Sequence, residues 1–431
     1  MMRLPNFLLF AAALLGSAAQ AGVTIEHWTA PSGARVYFVE NHALPIVDVQ
    51  VDFAAGSSRD PAGKSGLAGF THGLLDGGAG DLDETAISNR LADLGANLGG
   101  GADQDRASLS LRTLAARETR DGALEIMRLV LQQPRFPEAV LQREQVRAVA
   151  GLRDALTKPE VLVSRAFWQA LYPDHPYGRV STPESLENLT RADVEAFWRA
   201  NYNAAKASVT LVGDLSRSEA EAIAEKLTAG LPAGGPAAPI PAASLPQGRV
   251  VSVSHPATQS HLLLGLPAIP RGDPDFYALQ VGNYVLGGGG FVSRLLKEVR
   301  DARGYAYSTY SYFAPMVARG PFQIGLQTKR AQAGDALKVV NEVLQEFLAK
   351  GVTEKELKAA KDNMVGSFPL RLDSNRKLLD NVAVIGFYGL PLDYLDTYAA
   401  KVEKVSAADI KAAFQRHVLP QHLVTVKVAA D

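Results

Sequence analysis

The chain has 431 residues, 47% of them hydrophobic, with 44 basic against 45 acidic side chains. That is ample apolar material for two or more cores, and the balanced charge, with no long run of one sign, excludes the field that would hold a nucleic-acid backbone. Cysteine is absent, which excludes disulfides, thiolate metal sites and lipid attachment at a processed terminal cysteine.

In chain order, residues 1–21 read as an export signal. Arg3 supplies the positive start, Phe7 to Leu15 the short apolar run, and Ala19-Gln20-Ala21 the small-residue cleavage site. The expected destination is the bacterial periplasm, with full secretion as the alternative. The apolar run is too short to span a bilayer, and no later segment reaches the roughly 18 to 20 apolar residues that a membrane helix needs, so no membrane span is expected. Strands are predicted at Arg35 to Val39, Ile46 to Phe53 and Ala107 to Leu111, where apolar and polar residues alternate or β-branched residues cluster. Helices are predicted over Glu84 to Leu94, Ala115 to Gln133 and Glu138 to Leu156, followed by a strand at Ser208 to Val212. Residues 229–248, AGLPAGGPAAPIPAASLPQG, form neither a stable helix nor a ladder-bonded strand and read as a linker. Beyond it come strands at Val250 to Val253, His261 to Gly265, Phe322 to Leu326 and Leu423 to Val428. Helices are predicted at Pro274 to Val285, Ala333 to Ala349 and Glu354 to Gly366.

The halves on either side of the linker look like copies. Thr190-Arg191-Ala192-Asp193 is matched by Ser406-Ala407-Ala408-Asp409, an offset of 406 − 190 = 216, and the same offset brings Pro137-Glu138 onto Thr353-Glu354. Thr190 and Ser406 are N-cap types with an acidic residue three positions on, the polar signature of a helix start. The expected fold class is α+β, two homologous domains at residues 22–228 and 249–431.

The stretch Gly66-Leu67-Ala68-Gly69-Phe70-Thr71-His72-Gly73-Leu74-Leu75 resembles the zinc helix of the M16 (pitrilysin and insulinase) peptidases. The likeness extends over nearly the whole mature chain, including Ser32 to Val36, Gly56 to Gly66, the Tyr172-Pro173-Asp174-His175-Pro176-Tyr177-Gly178 loop and the block Leu286 to Tyr307. In the family the zinc helix carries His-x-x-Glu-His, and those three positions read Gly69, His72 and Gly73 here. Glycine offers no donor atom, and the position of the water-activating glutamate is a histidine. Zinc catalysis needs three protein ligands, an open position for water and a base beside it. The family's third ligand is a glutamate on a later helix, and the matching region, Gln145 to Leu152, has no carboxylate. The resemblance therefore implies no cofactor in this chain and zinc in a partner. His72 lies four residues from Asp76, on one helix face if the helix continues, but a structural or solvated His72 is the expectation rather than a metal site.

Ser293 to Tyr307 closely matches a second M16 motif, in which an arginine and a tyrosine seven residues apart reach the active chamber. Arg300 and Tyr307 fall on those positions. Arginine offers a forked, permanently charged donor to a peptide carbonyl or carboxylate, and a tyrosine hydroxyl can donate to a developing oxyanion. The plainer alternative is a helix-end surface charge and a half-buried strand aromatic. Gly287 to Gly290 before them are expected to form a flexible loop, since no Gly-Lys-Ser/Thr follows to make a phosphate cradle; the resemblance implies a place for it near the chamber entrance. In catalytic relatives the strand corresponding to Gly99 to Gly101 is an edge strand that pairs with substrate backbone, and here it is expected either to do so or merely to turn.

By this resemblance the chain is the zinc-free subunit of a periplasmic heterodimeric metallopeptidase. Its expected partners are a homologous M16 subunit with an intact His-x-x-Glu-His and a peptide substrate. Arg300 and Tyr307 would complete that partner's site, and the single chain would be inactive alone. The rival from another class is a catalytically silent structural or peptide-binding homologue. No Gly-x-Ser-x-Gly turn and no cysteine nucleophile supports an autonomous hydrolase.

Overall fold

The computed structural model describes residues 22–429, so the expected export signal at 1–21 lies outside the described residues. The strands are β1 (Glu26–Thr29), β2 (Arg35–Glu40), β3 (Ile46–Phe53), the short pair β4 (Gly78–Ala79) and β5 (Leu82–Asp83), β6 (Asn97–Ala102), β7 (Ala107–Leu114) and β8 (Ala207–Gly213). After residues 229–248, which carry neither helix nor strand, come β9 (Arg249–Val253), β10 (Gln259–Ile269), β11 (Ala306–Phe313), β12 (Gly320–Lys329) and β13 (Val424–Val428). The first sheet runs β1-β2-β8-β3-β7-β6 and the second β9-β13-β10-β12-β11. Apart from the extra strand β1 the order is the same. Each sheet is antiparallel except for one parallel pair, β2 with β8 and β9 with β13.

Helices of the first half are α1 (Leu67–Gly73), α2 (Glu84–Asp93), α3 (Arg117–Gln132), α4 (Glu138–Ala155), α5 (Pro159–Leu171), α6 (Pro183–Glu187), α7 (Arg191–Asn201) and α8 (Arg217–Thr228). Those of the second are α9 (Phe276–Asn283), α10 (Arg294–Leu296), α11 (Ala333–Lys350), α12 (Glu354–Ser367), α13 (Asn375–Tyr388), α14 (Tyr394–Lys404) and α15 (Ala407–His417). The starts of α3, α4, α5 and α7 lie 216 residues before those of α11, α12, α13 and α15. The predicted caps are built: Thr190 with Asp193 and Ser406 with Asp409 form reciprocal capping boxes, each satisfying two N–H groups that a helix start leaves orphaned.

Two helices that the sequence reading left unassigned, α5 and α13, bind the halves together. Each packs on the sheet of the other half. On α5, Val163, Phe167 and Leu171 lie against Leu263 of β10 and Val424, Val426 and Val428 of β13. On α13, Leu378, Leu379, Val382 and Ile385 lie against Tyr37, Val39 and Val212 of the first sheet. A Cβ on Gly386 would stand 2.6 Å from the Tyr37 ring, so glycine is what lets α13 approach. At roughly 1.5–3 kcal/mol for each large side chain fully buried, this exchange makes the two halves one cooperative unit. It also gives each sheet two covered faces, which is why β3 can bury Asp48, Gln50 and Asp52 in alternation with Val47, Val49 and Val51. Arg112 forks onto Asp48 at 2.8 and 2.9 Å. Gln50 donates to both oxygens of Asp52 at 3.0 Å.

A polar knot closes the same seam. Asp105, buried at the β6–β7 turn, accepts from the Tyr177 hydroxyl, from Tyr388 of α13 at 3.0 Å and from the Val317 N–H at 2.8 Å. The Tyr172-to-Gly178 loop that helped carry the family likeness is thus a fastening between the halves, Tyr172 also donating to the Arg319 carbonyl at 2.9 Å. Among the described residues no helix is long and apolar enough to cross a membrane.

Candidate functional site

Helix α1 starts abruptly because the chain supplies a cap from outside it. Gly66 takes a left-handed φ of 101°, and Asp60 accepts from the Gly66 N–H at 2.7 Å and the Ala68 N–H at 2.8 Å. Burial pushes the Asp60 carboxyl up to about 6, against the downward pull of those N–H groups. Asp60 was not singled out in the sequence, since a carboxylate six residues ahead of the N-cap Gly66 follows no local pattern. On α1 itself, Gly69 and Gly73 are exposed, and a Cβ on either would meet nothing within 4 Å. Their bareness is therefore not a packing requirement of this fold.

His72 is half-buried and committed. Its Nε2 lies 2.8 Å from the Ser108 carbonyl of β7, and because a carbonyl can only accept, the ring carries its proton on Nε2. Burial holds the imidazole below its usual value, so it stays neutral at pH 7, with the Ser108 hydrogen bond opposing the shift. Beside it, β6 is a strand at the edge of the sheet rather than a turn: Gly99, Gly100 and Gly101 pair with Ser110, Leu109 and Ser108. A Cβ on Gly100 would sit 1.9 Å from the Ser108 oxygen and 2.9 Å from His72 Nε2. The histidine and the bare strand pack as one feature.

These residues do not fit a catalytic zinc. Two of the three helix positions have no donor, and the third has committed its Nε2–H. The residues of α4 from Gln145 to Leu152 bring no carboxylate, and Gln145 spends its amide on the carbonyls of Leu186, Glu187 and Leu189. Among the described residues, the one group of His, Asp and Glu close enough to share an ion is Asp273, Asp275 and His417. There Arg416 forks onto Asp275 at 2.7 and 2.9 Å and His417 Nε2 lies 2.8 Å from it. That ion pair satisfies the carboxylate without a metal. It borders a cleft of about 600 Å³ between α9, α14 and α15, which contains none of the residues predicted to act.

The second half presents a different surface. Helix α9 opens into a π-helical turn, Tyr284–Gly288, and α10 into another, Lys297–Asp301; such turns are rare and recur at functional sites. The glycine run expected as a loop lies in helical turns, and three of its four glycines have no room for a side chain. A Cβ on Gly287 would lie 2.5 Å from Ser311 Oγ, one on Gly288 2.6 Å from the Asn283 amide and one on Gly289 2.6 Å from the Tyr284 carbonyl. Arg300 lies in the second π turn, its guanidinium carbon 5.4 Å from the centre of the Tyr307 ring. On β11 the register slips between Ala306 and Thr309, a bulge that leaves Tyr307 and Ser308 both outward where alternation allows one. Tyr307 is 87% exposed, so the half-buried strand aromatic of the plainer reading is not what the fold builds. The structure thus brings Arg300 and Tyr307 together. Among the described residues, no hydrogen bond, ion pair or ring contact joins them to Gly69, His72 or Gly73.

With this geometry in place, comparison with known proteins is direct. Residues 35–182 match the family model described as Insulinase (Peptidase family M16), and residues 188–364 that described as Peptidase M16 inactive domain. A crystal structure of a peptidase M16 inactive domain from Pseudomonas fluorescens is 38% identical, with a TM-score of 0.91 over 94% of this chain and 98% of its own. The "Non-peptidase homolog YmxG" of Helicobacter pylori is 26% identical over 89% of this chain and 88% of its own. The periplasmic protease PqqL of Escherichia coli shares the fold at 14% identity and a TM-score of 0.77, matching all of this chain with 49% of its own. The chain belongs to the M16 peptidase family, as an α+β member with a degenerate zinc helix.

Proposed function

We propose that the chain is the zinc-free subunit of a periplasmic M16 peptidase heterodimer, lending Arg300 and Tyr307 to an active site whose metal is held by a homologous partner with an intact His-x-x-Glu-His. The observation that carries this is the contrast within one chain. Gly69 and Gly73 of the zinc helix are bare where side chains would fit, while a π turn and a bulge bring a half-buried Arg300 beside an exposed Tyr307. In a complex, Arg300 would hold a peptide carbonyl or carboxylate, and the Tyr307 hydroxyl would donate to the oxyanion formed as water attacks the scissile carbonyl. The twofold longer PqqL chain is compatible with a working unit of two such lengths. Affinity capture from the native periplasm tests the pairing: a similar-sized chain with the intact motif and about one zinc should come down, while the single chain should bind no stoichiometric zinc and cleave no peptide. A lone chain that binds zinc and hydrolyses peptides with chelator sensitivity sinks the reading.

The second reading, a silent structural or peptide-binding homologue, is favoured by His72, whose hydrogen bond and packing against β6 turn the former catalytic helix into a strand support. Turnover by the reconstituted complex that ignores both Arg300→Ala and Tyr307→Phe would select it.

A further inference from the structure

Three arginines lie close together on the segment that carries the motif, and among the described residues one of the three is left without a hydrogen-bond acceptor. Arg294 forks onto Glu356 at 2.8 and 2.6 Å, and Arg303 donates to Glu298 at 2.6 Å. Among the described residues Arg300 between them makes no side-chain hydrogen bond, its nearest carboxylate oxygen being Asp301 Oδ1 at 3.9 Å. Its contacts are instead with ring faces: the guanidinium carbon lies 4.9 Å from the centre of the Phe291 ring and 5.4 Å from that of Tyr307. Phe291 is 73% exposed, an apolar ring held in water at the tip of a pinned turn. Gly290 takes a φ of 58°, the Ser293 N–H closes onto the Gly290 carbonyl at 3.0 Å, and Ser293 Oγ donates to the same carbonyl at 2.7 Å. Gly287, Gly288 and Gly289 before it leave no room for a side chain, a Cβ on each falling within 2.5–2.6 Å of Ser311, Asn283 or Tyr284.

We propose that Phe291 is a positioning residue that steadies Arg300, and that the steadied guanidinium is a receptor for a carboxylate on the bound peptide, either an acidic side chain or the peptide's own C-terminus. A guanidinium flanked by rings keeps its N–H edges free, and those edges match a carboxylate as a two-pronged fork. The flanking rings also exclude water from one side of the pair and remove rotamers that the long side chain would otherwise lose on binding. This rests on reading Arg300 and Tyr307 as a peptide-facing pair.

The test uses the full mature chain alone and follows the Arg300 Nε–Hε resonance by NMR. Three probes are titrated: an acetylated, amidated alanine pentapeptide with a central glutamate, the same peptide with glutamine, and the glutamine peptide with a free C-terminal carboxylate. At least one carboxylate-bearing probe should shift the Arg300 signal and bind about tenfold more tightly than the neutral one; which of the two does so identifies the source of the carboxylate. Phe291→Leu should weaken that preference roughly three- to fivefold, and Phe291→Tyr should retain it. Equal binding of charged and neutral probes, or a preference untouched by Phe291→Leu, overturns the proposal. A failure of the partner reading is seen separately, as unchanged turnover of the reconstituted complex carrying Arg300→Ala, and leaves this titration as it stands.

Discussion

Helix α1 and the α9–α10 segment follow equivalent inner strands, β3 and β10, and pack on equivalent helices, α7 and α15, yet their glycines serve opposite ends. On α1, Gly69 and Gly73 face open space, and nothing in the fold requires them. In the second half, Gly287, Gly288 and Gly289 are hemmed in by Ser311, Asn283 and Tyr284. The difference teaches that the first half lacks donor side chains where there is room for them, whereas the second packs its glycines tightly beside an exposed Phe291 and Tyr307 with Arg300 half-buried between their rings.

The sharpest way to break this comparison is catalytic. In a reconstituted complex, Tyr307→Phe should lower kcat by about 100- to 1,000-fold, the usual cost of one lost oxyanion donor, while Gly69→Ala leaves it unchanged; steady-state kinetics on the two variants checks both. Next comes the cap of α1. Asp60 sits at about 6 when folded against 3.8 as a free side chain, so the folded chain binds the extra proton and this group favours folding below about pH 4. That contribution is lost as pH rises through about 6, and it is worth at most about 3 kcal/mol at 1.36 kcal/mol per unit. Urea midpoints should therefore show the parent gaining on Asp60→Asn as the pH falls from 6 to 4. No gain would mean that the carboxyl is not held up by burial.

Smaller effects separate the two glycine sets. Gly287→Ala forces a Cβ into Ser311 and should cost about 1–3 kcal/mol by chemical denaturation. His72→Ala removes the Ser108 hydrogen bond and should cost about 1–2 kcal/mol, with faster amide exchange along β6 as its signature. Gly69→Ala fills an open helical position and should stabilise by about 0.5–1 kcal/mol. A destabilising Gly69→Ala would show that α1 needs its bare face, and the contrast between the halves would collapse.

Much of the architecture was legible. The capping boxes at Thr190 and Ser406, the shared offset of the two halves and most strands were readable because caps and β-branched runs are local signals. Helices α5 and α13 carry amphipathic spacing, as in Val163, Phe167, Ala170 and Leu171, but no periodicity says which sheet a stripe will cover. The glycine run suggested a loop by composition, and that Gly287 lies against Ser311 with no room for a side chain is visible only in space. Phe291 left one usable trace, a large aromatic directly after four glycines.

By itself the sequence determined what this chain cannot do at the zinc helix, because a missing donor atom is missing in any conformation and no packing restores an imidazole to Gly69 or Gly73. Only the tertiary structure decided where the surviving groups point. The Ser108 carbonyl commits His72, the bulge in β11 turns Tyr307 outward, and a pinned turn brings the Phe291 ring over Arg300. Those outcomes depend on contacts between segments distant in the chain, whose geometry no local pattern encodes.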